Sequence, residues 1–190
     1  MLLPPEEASL FISLYSSLIG FAAGRLGGAA GIVDAETFRC ASNNARAKAR
    51  DKLLGNIGLI NDFVDETPYQ FPEKELSNVL KWEHFVSGHF TVERDLKDYT
   101  VFLDDGDPPK AYGVLSLTEE ILEMMPYPLP VFVSAVLLPW KGQIVCDGLI
   151  LIYNVILGGG IRKNLKESYR QAKAQGIITS LETGQHLKHE

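Results

Sequence analysis

Apolar residues recur at helical spacing through the first 85 positions and at alternating spacing over most of the rest. Leu10, Phe11, Leu14, Tyr15, Leu18 and Phe21 form one stripe of a first helix. Ser9, Ser13, Ser16, Ser17, Gly20 and Gly24 form a second, small-residue stripe that invites close approach of another element. Pro4 and Pro5 open this helix and Glu6 and Glu7 suit its positive end, while Gly27, Gly28 and Gly31 stop it near Leu26. Between Val33 and Thr67 the pattern predicts short helices. Asp34, with Thr37 three residues on, caps one, and Asn43 or Asn44 caps Ala45–Leu54. Leu59, Ile60, Phe63 and Val64 make the apolar side of the next. Pro72 opens a further helix with Leu76, Val79 and Leu80 inward.

The period changes to two after His84. Phe90, Val92 and Arg94 alternate with Thr91, Glu93 and Asp95. Two further strands, 99–103 and 110–117, flank the turn cluster Asp104-Asp105-Gly106-Asp107-Pro108-Pro109 and so read as a hairpin. Thr118 is placed to cap a short helix that ends near Met125. Val131–Leu138 reads as a buried strand, and Lys141-Gly142 as a tight turn. Gln143–Leu157 holds one long bent strand or two short ones, with Asp147-Gly148 a bulge or turn. Ile161–Ala174 is a helix with Leu165, Tyr169 and Ala172 inward, and Ile177–Leu181 is a candidate last strand. Short strands with few helices between them favour an α+β fold over βαβ. The expected architecture is an N-terminal helical part (1–85) packed on a small, curled, mostly antiparallel sheet or partial barrel with a closing helix (86–181). A flexible tail (182–190) follows.

Composition narrows the class. With 190 residues, 46% of them hydrophobic, the chain can bury about 70% of its unfolded surface without disulfides or metals. Cys40 and Cys146 lie far apart and form no CxxC pair, so two buried, reduced thiols are expected. The uncharged run Ala8–Gly24 is only just long enough to span a bilayer and follows two glutamates, so it reads as a core helix and no membrane role is expected. The net charge of −6 argues against a general nucleic-acid binder. The charge is uneven: −3 over residues 1–85, −6 over 86–160 and +3 over 161–190.

Candidate chemistry is sparse. Gly158-Gly159-Gly160-Ile161-Arg162-Lys163 combines glycines, a helix start and two cations. Gly159, Gly160, Arg162 and Lys163 are therefore candidates to hold an anion or nucleotide, although neither P-loop nor GxGxxG spacing is met. The same run also reads as a strand-to-helix turn that needs positive φ angles. Arg162, Lys163, Lys166, Arg170 and Lys173 make a basic helix face, able to meet RNA or an acidic partner, or simply solvated. His84 and His89, with Asp104, Asp105 and Asp107, are weak metal or hydrolytic candidates if the hairpin folds over them, although HExxH is absent. Trp82, Phe85, Phe90, Tyr99 and Trp140 are aromatic candidates for a partner surface, or for core.

Three stretches carry a resemblance. They are Trp82-Glu83-His84-Phe85-Val86-Ser87-Gly88; Tyr99–Asp105 with Ala111-Tyr112-Gly113-Val114-Leu115; and Leu137–Gly142 followed by Asp147-Gly148 and Gly159-Gly160-Ile161-Arg162. Together they resemble an uncharacterised family of bacterial proteins over roughly residues 5–181. The resemblance implies a bacterial, cytoplasmic protein and names no catalytic residue. The expected function is a non-enzymatic interaction or regulatory module with a protein partner and no cofactor. The alternatives are RNA or nucleotide binding through Gly158–Lys173, and a metal-assisted hydrolase using His84 or His89 with the Asp104–Asp107 hairpin.

Overall fold

A computed structural model describes residues 1–67, 70–155 and 157–181. The chain divides into two compact units, Pro4–Glu83 and Met1–Leu3 with His84 onward.

The first unit is helical. Helix α1 (Pro5–Arg25) starts at a proline, carries Glu6 and Glu7 in its first turn and ends with Arg25 in its last. Among the described helices it is the one long and apolar enough to cross a membrane, yet 56% of its most apolar window is buried in the protein. Helix α2 (Ala35–Cys40) begins with a reciprocal capping box. The Asp34 carboxylate accepts from the Thr37 N–H at 2.8 Å, and the Asp34 N–H donates to the Thr37 hydroxyl at 3.1 Å. Helix α3 (Asn43–Leu54) starts earlier than the sequence pattern predicts, because Ser42, not Asn43 or Asn44, accepts the Ala45 N–H. Helices α4 (Leu59–Glu66) and α5 (Glu73–Leu80) complete the unit.

The small stripe of α1 is used as a seat. A Cβ built on Gly20 would lie 2.2 Å from the Ala35 nitrogen and 2.3 Å from the Asp34 carbonyl carbon, so only glycine lets the start of α2 approach so closely. The opposite, large stripe packs aromatics: Phe11 and Tyr15 stand 5.0 and 5.5 Å from Trp82, and Phe21 stands 5.5 Å from Phe63. Trp82 is thus core rather than partner surface. Cys40 is exposed, correcting the expectation of two buried thiols. The short α2 turns Phe38 inward and leaves its last residue at the surface, whereas Cys146 is buried.

A 3-10 turn, Lys81–His84, leads into the second unit. Its strands are β1 (Val86–Asp95), β2 (Thr100–Asp104), β3 (Ala111–Leu115), β4 (Val131–Trp140), β5 (Gln143–Cys146) and β6 (Leu151–Ile152). The sheet runs β1-β2-β3-β5-β4-β6, and β1 also pairs with β4. Five strands therefore close a ring, β1-β2-β3-β5-β4-β1. Every pairing in the ring is antiparallel except the short parallel seam between β3 and β5. This is the strand order of an OB-type Greek-key barrel, with helix α6 (Ile121–Met124) lying in sequence between β3 and β4. The barrel interior holds Phe90, Val92, Phe102, Tyr112, Val114, Val133, Leu137 and Ile144.

The ring depends on β1 serving two neighbours. Val86–Val92 pairs with β4 and Phe90–Asp95 with β2, and the register slips between Val92 and Arg94. That bulge overturns the simple alternation read from sequence. Glu93 becomes buried, and Arg94 turns outward over the face of Tyr169, 4.0 Å from the ring centroid. Lys141 and Gly142, at φ 48° and 82°, form the two-residue turn between β4 and β5. The Gln143–Leu157 region resolves into β5 and β6, two short strands on the same partner, β4. Between them Asp147 is buried and its carboxylate accepts the Leu149 N–H at 3.0 Å. The cap of α6 is Glu120 rather than Thr118.

Helix α7 (Gly159–Gln175) closes the unit. Tyr169, Ala172 and Leu165 pack on Val101, Leu103 and Ala111, the outward side chains of β2 and β3. Ile177–Leu181 is not a strand. Ile178 alone bridges β3, donating to Ala111 O and accepting from the Gly113 N–H, both at 2.8 Å. It thereby extends the short seam beside β5. The tail from Glu182 lies outside the described residues.

Candidate functional site

The barrel brings together part of one constellation and separates the rest. Paired residues on neighbouring strands point to the same side. Thr91 is paired with Leu103 on β2 and with Phe132 on β4, so these three form one outward row, and His89 faces the same way two residues earlier. Above this row stand the β2–β3 turn, with Asp104, Asp105 and Pro109, and the inner face of α7, with Leu165 and Ser168. Together they enclose a cavity of about 240 Å³. His89, Asp104 and Asp105 therefore line one site; His84 and Asp107 do not. Among the described residues no three histidine, cysteine or carboxylate side chains are grouped to hold a metal ion. The hydrolytic constellation is thus only half assembled.

The polar groups of the cavity differ in how far they are engaged. Asp104 organises its own turn: its carboxylate accepts the Lys110 N–H at 2.7 Å and the Gly106 N–H at 3.3 Å. It also accepts from Tyr112, whose phenol is pushed well above the ordinary tyrosine range, first by burial and then by the Asp104 charge and hydrogen bond. By contrast, Asp105, Ser168 and the 3% exposed Thr91 make no side-chain hydrogen bond among the described residues. His89 makes only a ring contact, 5.7 Å from Tyr153. Thr91 and Ser168 were not singled out from sequence. An outward threonine on an otherwise covered strand face was the available signal.

A second cavity, about 490 Å³, lies in the helical unit beside Phe21, Arg25, Asp34 and Phe63. Its charged groups are occupied. Asp34 caps α2, and Arg25 pairs with Glu66 and lies over Phe21 at 4.8 Å.

The glycine run is placed differently from its turn reading. Gly158 is the N-cap of α7 at φ −67°, and Gly159 and Gly160 are its first helical residues. No positive φ occurs at any of the three, and a Cβ on any of them would meet nothing within 4 Å. Nothing in the fold requires glycine there. The side chains of Arg162 and Lys163 are exposed, and the Arg162 Nε donates to Leu157 O at 3.1 Å. At 100° per residue, Arg162, Lys163, Lys166, Arg170 and Lys173 fall within an arc of about 100°. All five are exposed. The sole acid of α7, Glu167, pairs with Arg170 at 2.8 Å.

The outer face of β2 and β3 is a ligand platform in OB-type barrels. Here it is apolar and covered by α7. Phe90 and Trp140 are also buried, so the aromatic candidates on the strands are core. Comparison with protein-family models, with curated proteins and with solved structures finds no match.

Proposed function

We propose that the chain is a non-enzymatic docking module that holds an acidic segment of a partner protein along α7. The observation that carries this reading is the one-sided exposed stripe from Arg162 to Lys173. It runs about 16 Å at 1.5 Å per residue, enough for a short acidic segment. The first N–H groups of α7 point out at its glycine end, where the helix dipole favours a carboxylate. Because Gly159 and Gly160 carry no side chain, a partner's backbone or carboxylate can approach closely. We place the module in the cytoplasm of a bacterium, following the resemblance carried by the three sequence stretches.

The OB strand order gives RNA a hearing, since such barrels bind single strands. Two observations weigh against it. The β2–β3 platform is covered by α7, and the rings on it, Tyr99 and Tyr169, are packed into that contact rather than left open for bases to stack on. The surrounding segment 86–160 carries a net −6, which repels a long polyanion but leaves room for a short peptide.

Fluorescence anisotropy with a labelled acidic decapeptide and with oligouridine, at low and at physiological salt, tests the reading. The peptide is expected to bind, and the combined Lys163→Glu, Lys166→Glu and Lys173→Glu variant to lose that binding. Unchanged binding by the variant refutes the stripe. Tight oligouridine binding with a steep salt slope, and none of the peptide, moves the function to RNA.

A further inference from the structure

We propose that the cavity between β1, the β2–β3 turn and α7 is a binding site for a small organic cation, a primary ammonium bearing a short alkyl or aryl body. This site is separate from the basic stripe. The stripe lies on the exposed face of α7, whereas the cavity is walled by Leu165 and Ser168 on its inner side.

Three observations converge. The first is charge. Asp104 and Asp105 both line the cavity, and no lysine or arginine does. Asp104 already accepts two backbone N–H groups, but the Asp105 carboxylate has no hydrogen-bond or ion-pair partner among the described residues and is left to pair with a ligand. The second is unspent hydrogen-bonding capacity. Buried polar side chains are almost always bonded, yet Thr91 is 97% buried, lines this space and bonds to nothing described. Ser168, half-buried on α7, also lines the cavity and makes no side-chain hydrogen bond among the described residues. Two hydroxyl oxygens and a carboxylate are acceptors suited to the three N–H bonds of an ammonium. The third is the apolar wall. Leu103, Phe132, Leu165 and Pro109 give a hydrocarbon surface, and Phe132 adds a ring face that attracts cations. The volume equals roughly eight waters at about 30 Å³ each, which suits a molecule the size of phenethylamine and excludes a nucleotide or a peptide chain.

Saturation-transfer NMR and amide shift mapping on the full chain test the site with phenethylammonium, with phenylacetate as the size-matched anion. Phenethylammonium is expected to bind with a Kd on the order of 1 mM and to shift the amides of His89, Gly106 and Ser168. Phenylacetate is expected not to bind. Asp105→Asn, in an exposed turn where the carboxylate has no structural partner, should weaken the amine about tenfold or more. Thr91→Val keeps the shape and should weaken it less. Equal binding of the two probes overturns the proposal, as does amine binding unaffected by Asp105→Asn. Absence of amide shifts at ten times the expected Kd does so too.

Discussion

Replacing Gly20 by alanine sets two opposed effects against each other inside one helix. In an ordinary helix interior the exchange adds about 1 kcal/mol, because glycine is the poorer helix former. At Gly20 the new methyl carbon would stand 2.2 Å from the Ala35 nitrogen and 2.3 Å from the Asp34 carbonyl carbon. Heavy atoms rest at about 3.5–4.0 Å, so α1 and the start of α2 must part by more than about 1 Å. Both obstacles are backbone, and no side chain can rotate away. Overpacking of this kind costs about 1–3 kcal/mol, and more where backbone must move. Displacing Asp34 also loosens the capping box it shares with Thr37. The expected net loss is about 2 kcal/mol. Urea denaturation followed by circular dichroism gives the magnitude, and native-state hydrogen exchange localises it to amides of α1 and α2. Gly159→Ala is the control: its Cβ meets nothing within 4 Å, so it should stabilise by a few tenths to about 1 kcal/mol. A Gly20→Ala chain as stable as the parent, or more so, would refute the close-approach reading.

Other outcomes are expected from other sites. Tyr169→Ala removes a buried ring and the seat of Arg94, and should cost about 3 kcal/mol; hydrogen exchange that stays slow along α7 would contradict it. Tyr112 has a phenol pKa raised in the fold, so its contribution is complete below about pH 10 and is lost as pH rises and the unfolded chain ionises. Alkaline denaturation should therefore be shallower for Tyr112→Phe than for the parent. Asp34 has its pKa lowered, first by the Thr37 N–H and then by the Thr37 hydroxyl, so its capping is complete above the ordinary carboxylate range and fades as pH falls through it. Asp34→Asn should remove that acid dependence from the exchange rates of α2 amides.

Much of the architecture is legible because local chemistry decides it. Pro4-Pro5 and the glycines after Leu26 bound α1, Asp34 with Thr37 announces α2, and Lys141-Gly142 marks the β4–β5 turn. What escapes is whatever depends on partners remote in sequence. The bulge at Glu93 exists because β1 must serve both β2 and β4, which no window around Glu93 contains. The coverage of β2 and β3 by α7 is equally invisible until the ring is known. The cavity was half legible. His89, Asp104 and Asp105 stand out as polar residues beside a turn. Thr91 and Ser168 look like ordinary strand and helix positions until the ring and α7 set them across one space. Conversely, His84 joins them only in sequence.

The ring also sets an order of events in time. The helical unit is built largely from near neighbours and is complete once Glu83 has been made. Strand β1 must wait for β4, made some forty residues later, and the seam beside β3 stays short until Ile178 arrives. At about 5–20 residues synthesised per second that wait lasts seconds, far longer than helix formation takes. A chain still in synthesis therefore carries β1, β2 and β3 as an open sheet with bare edges. Its period of greatest exposure to aggregation is the interval between the emergence of Val86 and that of Ile178.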